Sequence, residues 1–309
     1  MLKIFIATTT FGQLSEEPLD LIRENGLGII QNKTGKKIDE DEIIEMVGDA
    51  IGIIAGTETY SKSTLENLSN LKIISRLGVG MDNIDLGSAE KKDIKVYRTV
   101  TTPAPAVAEL ALGLMIDISR HISQTNHLLK SGSWEKKMGY LLQGKTLGII
   151  GLGTIGKELV NVAKGFNLHI IAFDKYEDIS FAKKHSITYC DLESLLNNSD
   201  IISIHLNLSD QTKRLIDKDK IKLMKPEAIL INTSRGEIVD EKAIYDALKS
   251  NQIAGAGLDV FNQEPYFGPL TELDNVVLTP HIGAYARKIR IQMEIEAAEN
   301  LIKGLNEAK

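Results

Sequence analysis

Three polar side chains in the C-terminal half of the chain have the types needed for acid–base chemistry. Arg235, Glu264 and His281 each follow a short run that reads as a strand. In an open parallel sheet, ligands gather at the carboxyl ends of the strands. We therefore expect a guanidinium, a carboxylate and an imidazole to meet at one edge of a sheet.

Upstream of these residues, a buried strand runs into Gly-x-Gly-x-x-Gly and then into a predicted helix. Gly151 permits the tight turn, Gly153 lets the backbone approach a pyrophosphate, and Gly156 allows close packing of helix and strand. The backbone N–H groups of Thr154 and Ile155, together with the helix dipole, would hold the diphosphate. The pattern predicts a dinucleotide site.

Asp174 strengthens this interpretation, because it ends the next predicted strand about 20 residues after Gly153, the usual spacing for the carboxylate that accepts the ribose hydroxyls. A bare glycine pattern is weak, but here strand, turn, helix, second strand and terminal Asp agree. The carboxylate would repel a 2′-phosphate, which favours NAD over NADP. Lys175 follows directly and softens that preference.

The three side chains and the dinucleotide site together suit hydride transfer to a 2-oxo acid. Arg235 can grip the substrate carboxylate through two parallel hydrogen bonds and polarise the neighbouring carbonyl. An imidazolium at His281 can supply the proton, and acts as a base in the reverse direction. A carboxylate at Glu264 favours the charged imidazole. Taken singly, the three are equally compatible with a surface charge, a solvated loop residue and a structural histidine.

Composition excludes several other classes of protein. The 309 residues have a formal net charge of −6, which argues against a protein that coats nucleic acid. The single cysteine, Cys190, supplies neither a disulfide nor a thiolate cluster, and we expect no metal site. No uncharged stretch approaches the roughly 20 residues that span a bilayer, and the N-terminus does not resemble a secretory signal. We expect a cytoplasmic protein without nucleic-acid or membrane partners.

Short β-branched runs alternate with amphipathic stretches, a pattern typical of parallel sheets covered by helices. The residues before the glycine turn have an alternation of their own, which predicts a second lobe. Residues 104–130 have the spacing of one long helix, either a connection between lobes or an ordinary core helix. The predicted strands are 3–7, 52–55, 72–76, 145–150, 169–174, 201–205, 228–232, 255–259 and 276–279, and the other predicted helices are 40–47, 62–68, 153–164, 192–197, 217–223, 240–250 and 286–305.

Several long motifs in order resemble the D-isomer-specific 2-hydroxyacid dehydrogenase family, and within it most nearly the D-3-phosphoglycerate dehydrogenase-like branch. The resemblance covers nearly the whole chain. Besides the glycine turn, the motifs are ISRLGVGMDNID (74–85), VAELALGLM (107–115), NTSRGEIVD (232–240), LDVFNQEP (258–265) and TPHIGA (279–284).

The resemblance implies an α/β fold with two Rossmann-like, doubly wound parallel-sheet lobes and a cleft between them that closes on the ternary complex. A discontinuous, flavodoxin-like substrate lobe would comprise residues 1–98 and 286–309, and an NAD-binding lobe residues 99–285. Such enzymes are usually homodimers or larger homo-oligomers, often through the segment near the long helix.

The resemblance also implies roles for individual residues. Arg235, Glu264 and His281 would be the catalytic trio, and Asp259 would hold the nicotinamide carboxamide. The backbone around Val79 and Gly80 would take the substrate carboxylate. His205 ends a strand near the cofactor edge, and the other expected cofactor contacts are Leu206, Thr233, Ser234, Gly283 and Ala284.

One departure leaves the substrate open. Many phosphoglycerate dehydrogenases have Arg-Ser-x-Thr after the third strand to bind the phosphate, but here residues 56–61 read GTETYS, with Glu58 and no arginine. Arg76, Arg98 or Lys62 would have to compensate. Phosphoglycerate, and with it serine biosynthesis, is the first expectation, and glyoxylate, hydroxypyruvate or another small 2-oxo acid is the alternative.

A non-catalytic NAD-sensing scaffold is a third interpretation, since relatives of this family act as transcriptional corepressors. It would need the dinucleotide turn without the trio, so the presence of all three side chains counts against it. The sequence stops just after the last predicted helix, which leaves no room for a C-terminal regulatory domain. We therefore expect no feedback by serine through such a domain.

Overall fold

Two parallel β-sheets, each covered by helices, make up the computed structural model, which describes residues 1–307. The first unit comprises Met1–Pro103 and the chain from Tyr285 onward, and the second unit comprises Ala104–Ala284. Each unit has its own sheet and its own buried core. The prediction of two parallel-sheet α/β lobes is confirmed, whereas the substrate-binding role of the first unit stays a prediction.

The described chain contains twelve strands and twelve α-helices. The strands are β1 (Lys3–Ile6), β2 (Gly28–Gln31), β3 (Gly52–Ala55), β4 (Ile73–Arg76), β5 (Lys95–Arg98), β6 (Thr146–Ile150), β7 (His169–Phe173), β8 (Thr188–Tyr189), β9 (Ile201–Ile204), β10 (Ile229–Asn232), β11 (Gly255–Leu258) and β12 (Val276–Leu278). The helices are α1 (Glu17–Glu24), α2 (Glu40–Val47), α3 (Lys62–Asn67), α4 (Leu86–Lys91), α5 (Ala104–Arg120), α6 (Ile122–Lys130), α7 (Thr154–Val162), α8 (Ile179–His185), α9 (Leu192–Asn198), α10 (Lys218–Lys222), α11 (Glu241–Lys249) and α12 (Arg287–Glu307).

Both sheets are wholly parallel, and in each the strand order reverses once. The order is β2-β1-β3-β4-β5 in the first unit and β12-β11-β10-β9-β6-β7-β8 in the second. Central strands such as β3, β9 and β10 are buried at every residue, as expected for strands covered by helices on both faces. The reversal in the second sheet lies between β6 and β9, where a doubly wound fold leaves a crevice for its ligand.

Short side chains with oxygen atoms begin many of the helices. Each accepts a hydrogen bond from a backbone N–H of the first turn, which satisfies a donor that has no partner within the helix. In α2 the N3 residue Glu42 also accepts from the Asp39 N–H, forming a capping box. These N-cap residues are Asp39, Ser61, Asp85, Asp178, Asp191, Asp217 and Asp240.

The prediction of one continuous helix over residues 104–130 is wrong. His121 has a left-handed backbone conformation (φ 53°) and separates α5 from α6. Asp117 stabilises the break, because its Oδ1 accepts a hydrogen bond from the Ser123 N–H at 2.7 Å. The apolar spacing continues across this break, so periodicity alone could not reveal it.

The sequence analysis also missed elements whose patterns are short or half-exposed. The strands β2 and β5 form the two edges of the first sheet and are only partly buried, and β8 has two residues. Two short helices, α1 and α4, were missed as well. Short edge strands and helices of one or two turns have too few apolar positions to show a period.

The last helix, α12, packs against the first sheet. The Ser75 hydroxyl on β4 donates to the Ala297 carbonyl at 2.7 Å. A buried ion pair joins Arg290 Nε to Glu294 Oε1 at 2.7 Å, and the other Glu294 oxygen accepts from the Gly12 N–H at 3.0 Å. The helix is therefore integral to the first unit although it is distant from it in sequence.

Candidate active site

The glycine turn lies at the carboxyl end of β6, at the reversal of the second sheet. Gly151 has φ 97°, and a Cβ there would stand 2.7 Å from the His205 carbonyl oxygen. A Cβ on Gly156 would stand 2.4 Å from the Gly151 carbonyl oxygen. Around a Cβ position on Gly153, by contrast, no described atom lies within 4 Å apart from those of its chain neighbours and the adjoining helix backbone. Gly151 and Gly156 are therefore packed against other backbone atoms, whereas the space beside Gly153 is open to a ligand.

Asp174 follows β7 and faces the same turn. Its Oδ2 accepts a hydrogen bond from the Leu152 N–H at 2.7 Å, and its Oδ1 accepts from the Tyr176 N–H at 2.8 Å. The carboxylate thus ties the turn to the β7 end, and each oxygen retains a second lone pair for a ribose hydroxyl. Contact between Asp174 and a ribose stays a prediction.

Two buried polar atoms on neighbouring strand ends have no hydrogen-bond partner among residues 1–307. They are His205 Nδ1, after β9, and Thr233 Oγ1, after β10. The other ring nitrogen, Nε2, lies 2.9 Å from the Ser203 hydroxyl, and burial lowers the pKa of His205 to about 4, so the ring is neutral at pH 7. Unpartnered buried polar atoms are rare and call for a ligand or water.

These features fit a bound dinucleotide. The open space at Gly153 and the unpaired first N–H groups of α7, at Thr154 and Ile155, suit the diphosphate. Asp174 suits the adenosine ribose, and the polar atoms of His205 and Thr233 are available for the rest of the molecule.

Glu264 and His281, which are 17 residues apart in sequence, form a hydrogen-bonded pair. His281 Nδ1 lies 2.8 Å from Glu264 Oε2, and Glu264 Oε1 accepts from the Phe261 N–H at 3.2 Å. Because the carboxylate accepts the Nδ1 proton, Nε2 is left for proton exchange with a substrate. His281 has a left-handed backbone conformation (φ 55°), one that few residues other than glycine, asparagine and aspartate adopt readily.

Arg235 stands in a loop that Asn232 organises. Asn232, the last residue of β10, donates from Nδ2 to the Arg235 carbonyl at 2.9 Å and accepts from the Ser234 N–H at 3.1 Å. The next residue, Gly236, is in close contact with the loop after β11, since a Cβ there would lie 2.1 Å from the Phe261 carbonyl carbon. The loops that carry Arg235 and Glu264 therefore pack directly on each other.

Asp259 holds the loop that carries His281. Its Oδ1 accepts from the Thr279 hydroxyl at 2.6 Å and the Ile282 N–H at 2.8 Å, and its Oδ2 accepts from the Gly283 N–H at 2.8 Å. Burial raises the pKa of this carboxyl group, while the hydrogen bonds oppose that shift. One lone pair on Oδ2 still lacks a donor, and the predicted contact with a carboxamide stays a prediction.

The structure thus gathers most of the predicted residues at one edge of the second sheet. Leu206, Ser234 and Ala284 lie at the same strand ends, whereas Val79 and Gly80 lie in the first unit, in the loop after β4. The organising roles of Asn232, Thr279 and Gly236 were missed. A polar residue that ends a buried strand just before a candidate catalytic loop is the signal that points to such roles.

The remaining candidates behave as structural residues. His185 stacks on Phe181 with ring centroids 4.2 Å apart, and His169 begins β7 at the opposite end of the sheet from the site. Burial raises the pKa of Cys190, which makes its thiol less reactive. Among the residues that the structure describes, no group of His, Cys, Asp and Glu is arranged to hold a metal ion, and no helix is both long and apolar enough to cross a membrane.

Comparison with known proteins assigns the chain to a family. Residues 112–283, more than half of the chain, match the model of the D-isomer specific 2-hydroxyacid dehydrogenase, NAD binding domain. The chain belongs to the D-isomer-specific 2-hydroxyacid dehydrogenase family. The predicted resemblance is therefore confirmed. The enzyme is an NAD-dependent D-2-hydroxyacid dehydrogenase, and the matched residues, all in the second unit, form its NAD-binding domain.

The curated relatives of this dehydrogenase are named for different activities. A hydroxypyruvate reductase of Thermotoga maritima is 39% identical over 94% of this chain and 96% of its own length. A glyoxylate reductase of Thermococcus litoralis is 40% identical over 91% of this chain and 90% of its own. A D-3-phosphoglycerate dehydrogenase of Archaeoglobus fulgidus is 38% identical over 94% of this chain, but over only 56% of its own length.

The open position at Gly153 allows a test of the dinucleotide site that leaves the fold intact. The Gly153 backbone (φ −76°, ψ −157°) is accessible to alanine, so we expect Gly153→Ala to keep the wild-type melting temperature. Its methyl group would occupy the space next to the helix N-terminus, and we expect the Kd for NADH to rise at least about tenfold. Fluorescence titration measures this Kd.

Gly165→Ala is the matched control, because that glycine also has open space around its Cβ position but lies in the short 3₁₀ helix after α7. The control should bind NADH like the wild type. Wild-type affinity in Gly153→Ala would contradict the assignment of this turn to the diphosphate.

The depressed pKa of His205 predicts a specific sensitivity to acid. Below pH 6.5 the unfolded chain binds a proton at this imidazole, whereas the folded protein does not until about pH 4. Stability therefore falls as the pH is lowered through this window, by about 1–2 kcal/mol at pH 5. We expect His205→Gln to lose less stability than the wild type between pH 7 and pH 5 in urea unfolding, and His169→Gln, on the exposed end of β7, to match the wild type. Equal losses in all three proteins would show that His205 is not buried as a neutral ring.

Proposed function

We propose that this dehydrogenase uses NADH to reduce small, unphosphorylated 2-oxo acids to D-2-hydroxy acids, with hydroxypyruvate and glyoxylate as the first substrates. The observation that carries the proposal is the loop after β3. It has a buried carboxylate in the stretch where a phosphate-binding enzyme of this family needs an arginine. Phosphoglycerate, the first expectation from the sequence, becomes the second candidate because this carboxylate is buried and held in place.

Glu58 is firmly held in that loop and is only 4% exposed. Its Oε2 accepts a hydrogen bond from the Gly56 N–H at 2.7 Å, and Asn83 Nδ2 donates to the Glu58 carbonyl at 2.6 Å. Together with burial, the charge of Glu58 raises the pKa of the neighbouring Tyr60 hydroxyl. A carboxylate fixed in this way would repel a phosphate, and like charges brought together at a binding site cost several kcal/mol.

The named activities of the relatives support the same substrate class. The hydroxypyruvate and glyoxylate reductases match this chain over nearly their whole lengths. We infer from this match, together with Glu58, that the substrate tail beyond C2 is small and uncharged.

The geometry of the trio supports the chemistry of the proposed reaction, in which a 2-oxo acid, NADH and a proton give a D-2-hydroxy acid and NAD⁺. Arg235 would grip the substrate carboxylate and polarise the C2 carbonyl. His281 would donate its Nε2 proton to the carbonyl oxygen, while Glu264 keeps the ring oriented through Nδ1 and stabilises its charged form. Bound NADH supplies the hydride that C2 receives. In the reverse direction His281 accepts the hydroxyl proton.

Oxidation of D-3-phosphoglycerate is the second candidate, and a specific feature favours it. Arg76 and Arg98 are register partners on β4 and β5, so two cations stand side by side at the carboxyl end of the first sheet. They could balance a phosphate in spite of Glu58. A relative of that name is 38% identical.

Exposed apolar side chains support the prediction of a homodimer or larger homo-oligomer. Trp134, Met138 and Leu141 are 82%, 91% and 69% exposed in the segment between α6 and β6. Large apolar side chains grouped in this way commonly mark an interface.

A substrate panel separates the two candidates. We expect kcat/KM for hydroxypyruvate or glyoxylate to exceed that for the phosphorylated 2-oxo acid derived from D-3-phosphoglycerate by about 100-fold or more, because Glu58 repels the phosphate. Steady-state rates of NADH oxidation give these values. The Glu58→Gln variant keeps an acceptor for the Gly56 N–H and removes the charge. It should therefore lower the ratio of kcat/KM for the unphosphorylated acid to kcat/KM for the phosphorylated acid. A wild-type preference for the phosphorylated acid would overturn the proposal in favour of the second candidate.

Replacement of His281 tests the acid–base role without disturbing the turn. Asparagine tolerates the left-handed conformation at this position but cannot exchange a proton, so His281→Asn should lower kcat by about 10²–10⁴-fold and leave the Kd for NADH nearly unchanged. His169→Asn should keep full activity.

Full activity in His281→Asn would remove this residue from the mechanism. Loss of NADH binding in step with activity would instead make it structural. A wild-type protein that binds NADH but reduces no 2-oxo acid would favour the NAD-sensing scaffold.

A further inference from the structure

We infer that Arg98 is a positioning residue for the substrate carboxylate, acting through the backbone of the loop formed by residues 77–80. The inference rests on the proposed function, because it takes the Val79 and Gly80 N–H groups as the carboxylate site of a 2-oxo acid. Nothing in the motifs of the family pointed to Arg98, which was considered above only as a possible phosphate contact.

The loop 77–80 has most of its polar groups anchored to the ends of β3 and β4 and to Thr99, the residue after β5. The Leu77 N–H donates to the Ala55 carbonyl at 2.8 Å, and the Leu77 carbonyl accepts from the Arg76 guanidinium. The Gly78 N–H donates to the Thr99 hydroxyl at 3.1 Å. Within residues 1–307, the N–H groups of Val79 and Gly80 donate no hydrogen bond. Two successive free N–H groups on an anchored loop can bind an anion.

Arg98 determines which way the peptide between Val79 and Gly80 faces. Its Nη1 donates to the Val79 carbonyl oxygen at 3.0 Å. A trans peptide is planar and its C=O and N–H point in opposite directions, so holding the Val79 oxygen holds the Gly80 N–H on the other side. Val79 is 38% exposed and is flanked by glycines, so without this bond the peptide can rotate.

The backbone at Arg98 is held in place by α12 and by β4. The Asn300 side chain on α12 donates to the Arg98 carbonyl at 3.2 Å, and the next residue, Thr99, is fully buried with its N–H on the Arg76 carbonyl at 3.1 Å. The guanidinium has five N–H donors, and the Val79 oxygen takes one. The loop is therefore anchored from a rigid strand end, which is what preorganised binding requires.

The test compares Arg98→Met, which keeps most of the stem and removes the donors, with Arg98→Lys, which restores a donor. We expect Arg98→Met to raise KM for glyoxylate about tenfold, the loss expected for one charged hydrogen bond, with kcat changed less than about twofold. Arg98→Lys should recover most of the loss. The Kd for NADH should stay unchanged in both variants, because the turn at Gly153 is in the other unit.

Lys95→Met is the matched control, because it removes a cation from the same strand without touching the loop, and it should keep the wild-type KM. Thr99→Val is a second variant: it removes the hydroxyl acceptor of the Gly78 N–H and leaves only the Arg76 carbonyl at 3.0 Å, so it loosens the loop and should raise KM in the same direction. Raising the salt concentration to about 1 M shortens the screening length to about 3 Å, which removes long-range effects of the Arg98 charge. A direct hydrogen bond is not removed by salt, so the ratio of KM values between Arg98→Met and wild type should persist at 1 M.

Unchanged KM in Arg98→Met, or a ratio that disappears at high salt, would overturn the inference, the latter because Arg98 would then act only as a distant charge. Both results presuppose an active wild-type enzyme. A wild-type protein that reduces none of the 2-oxo acids would instead overturn the proposed function, and the inference with it.

Discussion

The arrangement of the candidate active site depends on one buried carboxylate, that of Asp259. Three donors from the loop after β12 converge on it, namely the Thr279 hydroxyl and the N–H groups of Ile282 and Gly283. These bonds bend the loop back over the end of β11, so that His281, in a left-handed conformation, faces Glu264. A buried carboxylate is costly unless it is fully hydrogen-bonded, and here the loop itself supplies the bonds. The stability of the loop and the orientation of the imidazole are therefore coupled.

The same principle recurs in both units, where loops at the carboxyl ends of parallel strands are anchored through some backbone groups while others are left free. In the second unit, Asp174 and the close contacts at Gly151 and Gly156 fix the glycine turn, and Gly153 stays open. In the first unit, Arg98 anchors the loop 77–80 through a carbonyl and leaves two N–H groups unpaired. Anion recognition by free backbone N–H groups needs this rigidity, because a flexible loop would satisfy its own donors.

Much of the fold and of the site could be predicted because the relevant signals are local. The strand–turn–helix with its three glycines, the terminal Asp174 and the polar residues after β10, β11 and β12 are all visible in short windows of sequence. The features that could not be predicted depend on contacts between parts of the chain. The break at His121 is stabilised by a hydrogen bond between Asp117 and Ser123, although the apolar period continues across it. The edge strands β2 and β5 are only partly buried, so their sequences lack a continuous apolar run. Asn232 acts through hydrogen bonds within the Arg235 loop and Thr279 through a bond to Asp259 at another strand end, and no periodicity encodes either.

The sequence by itself determined the family, the class of cofactor and the candidates for the acid–base side chains, because these follow from residue types in fixed local order. Only the tertiary structure decided which side chains touch. It paired Glu264 with His281, made Asp259 the organiser of a loop, folded Glu58 back onto Gly56 and placed Arg98 on the Val79 carbonyl. The physical reason is that parallel strands bring together chain segments that are distant in sequence, and hydrogen bonds across such distances depend on orientation as well as on composition.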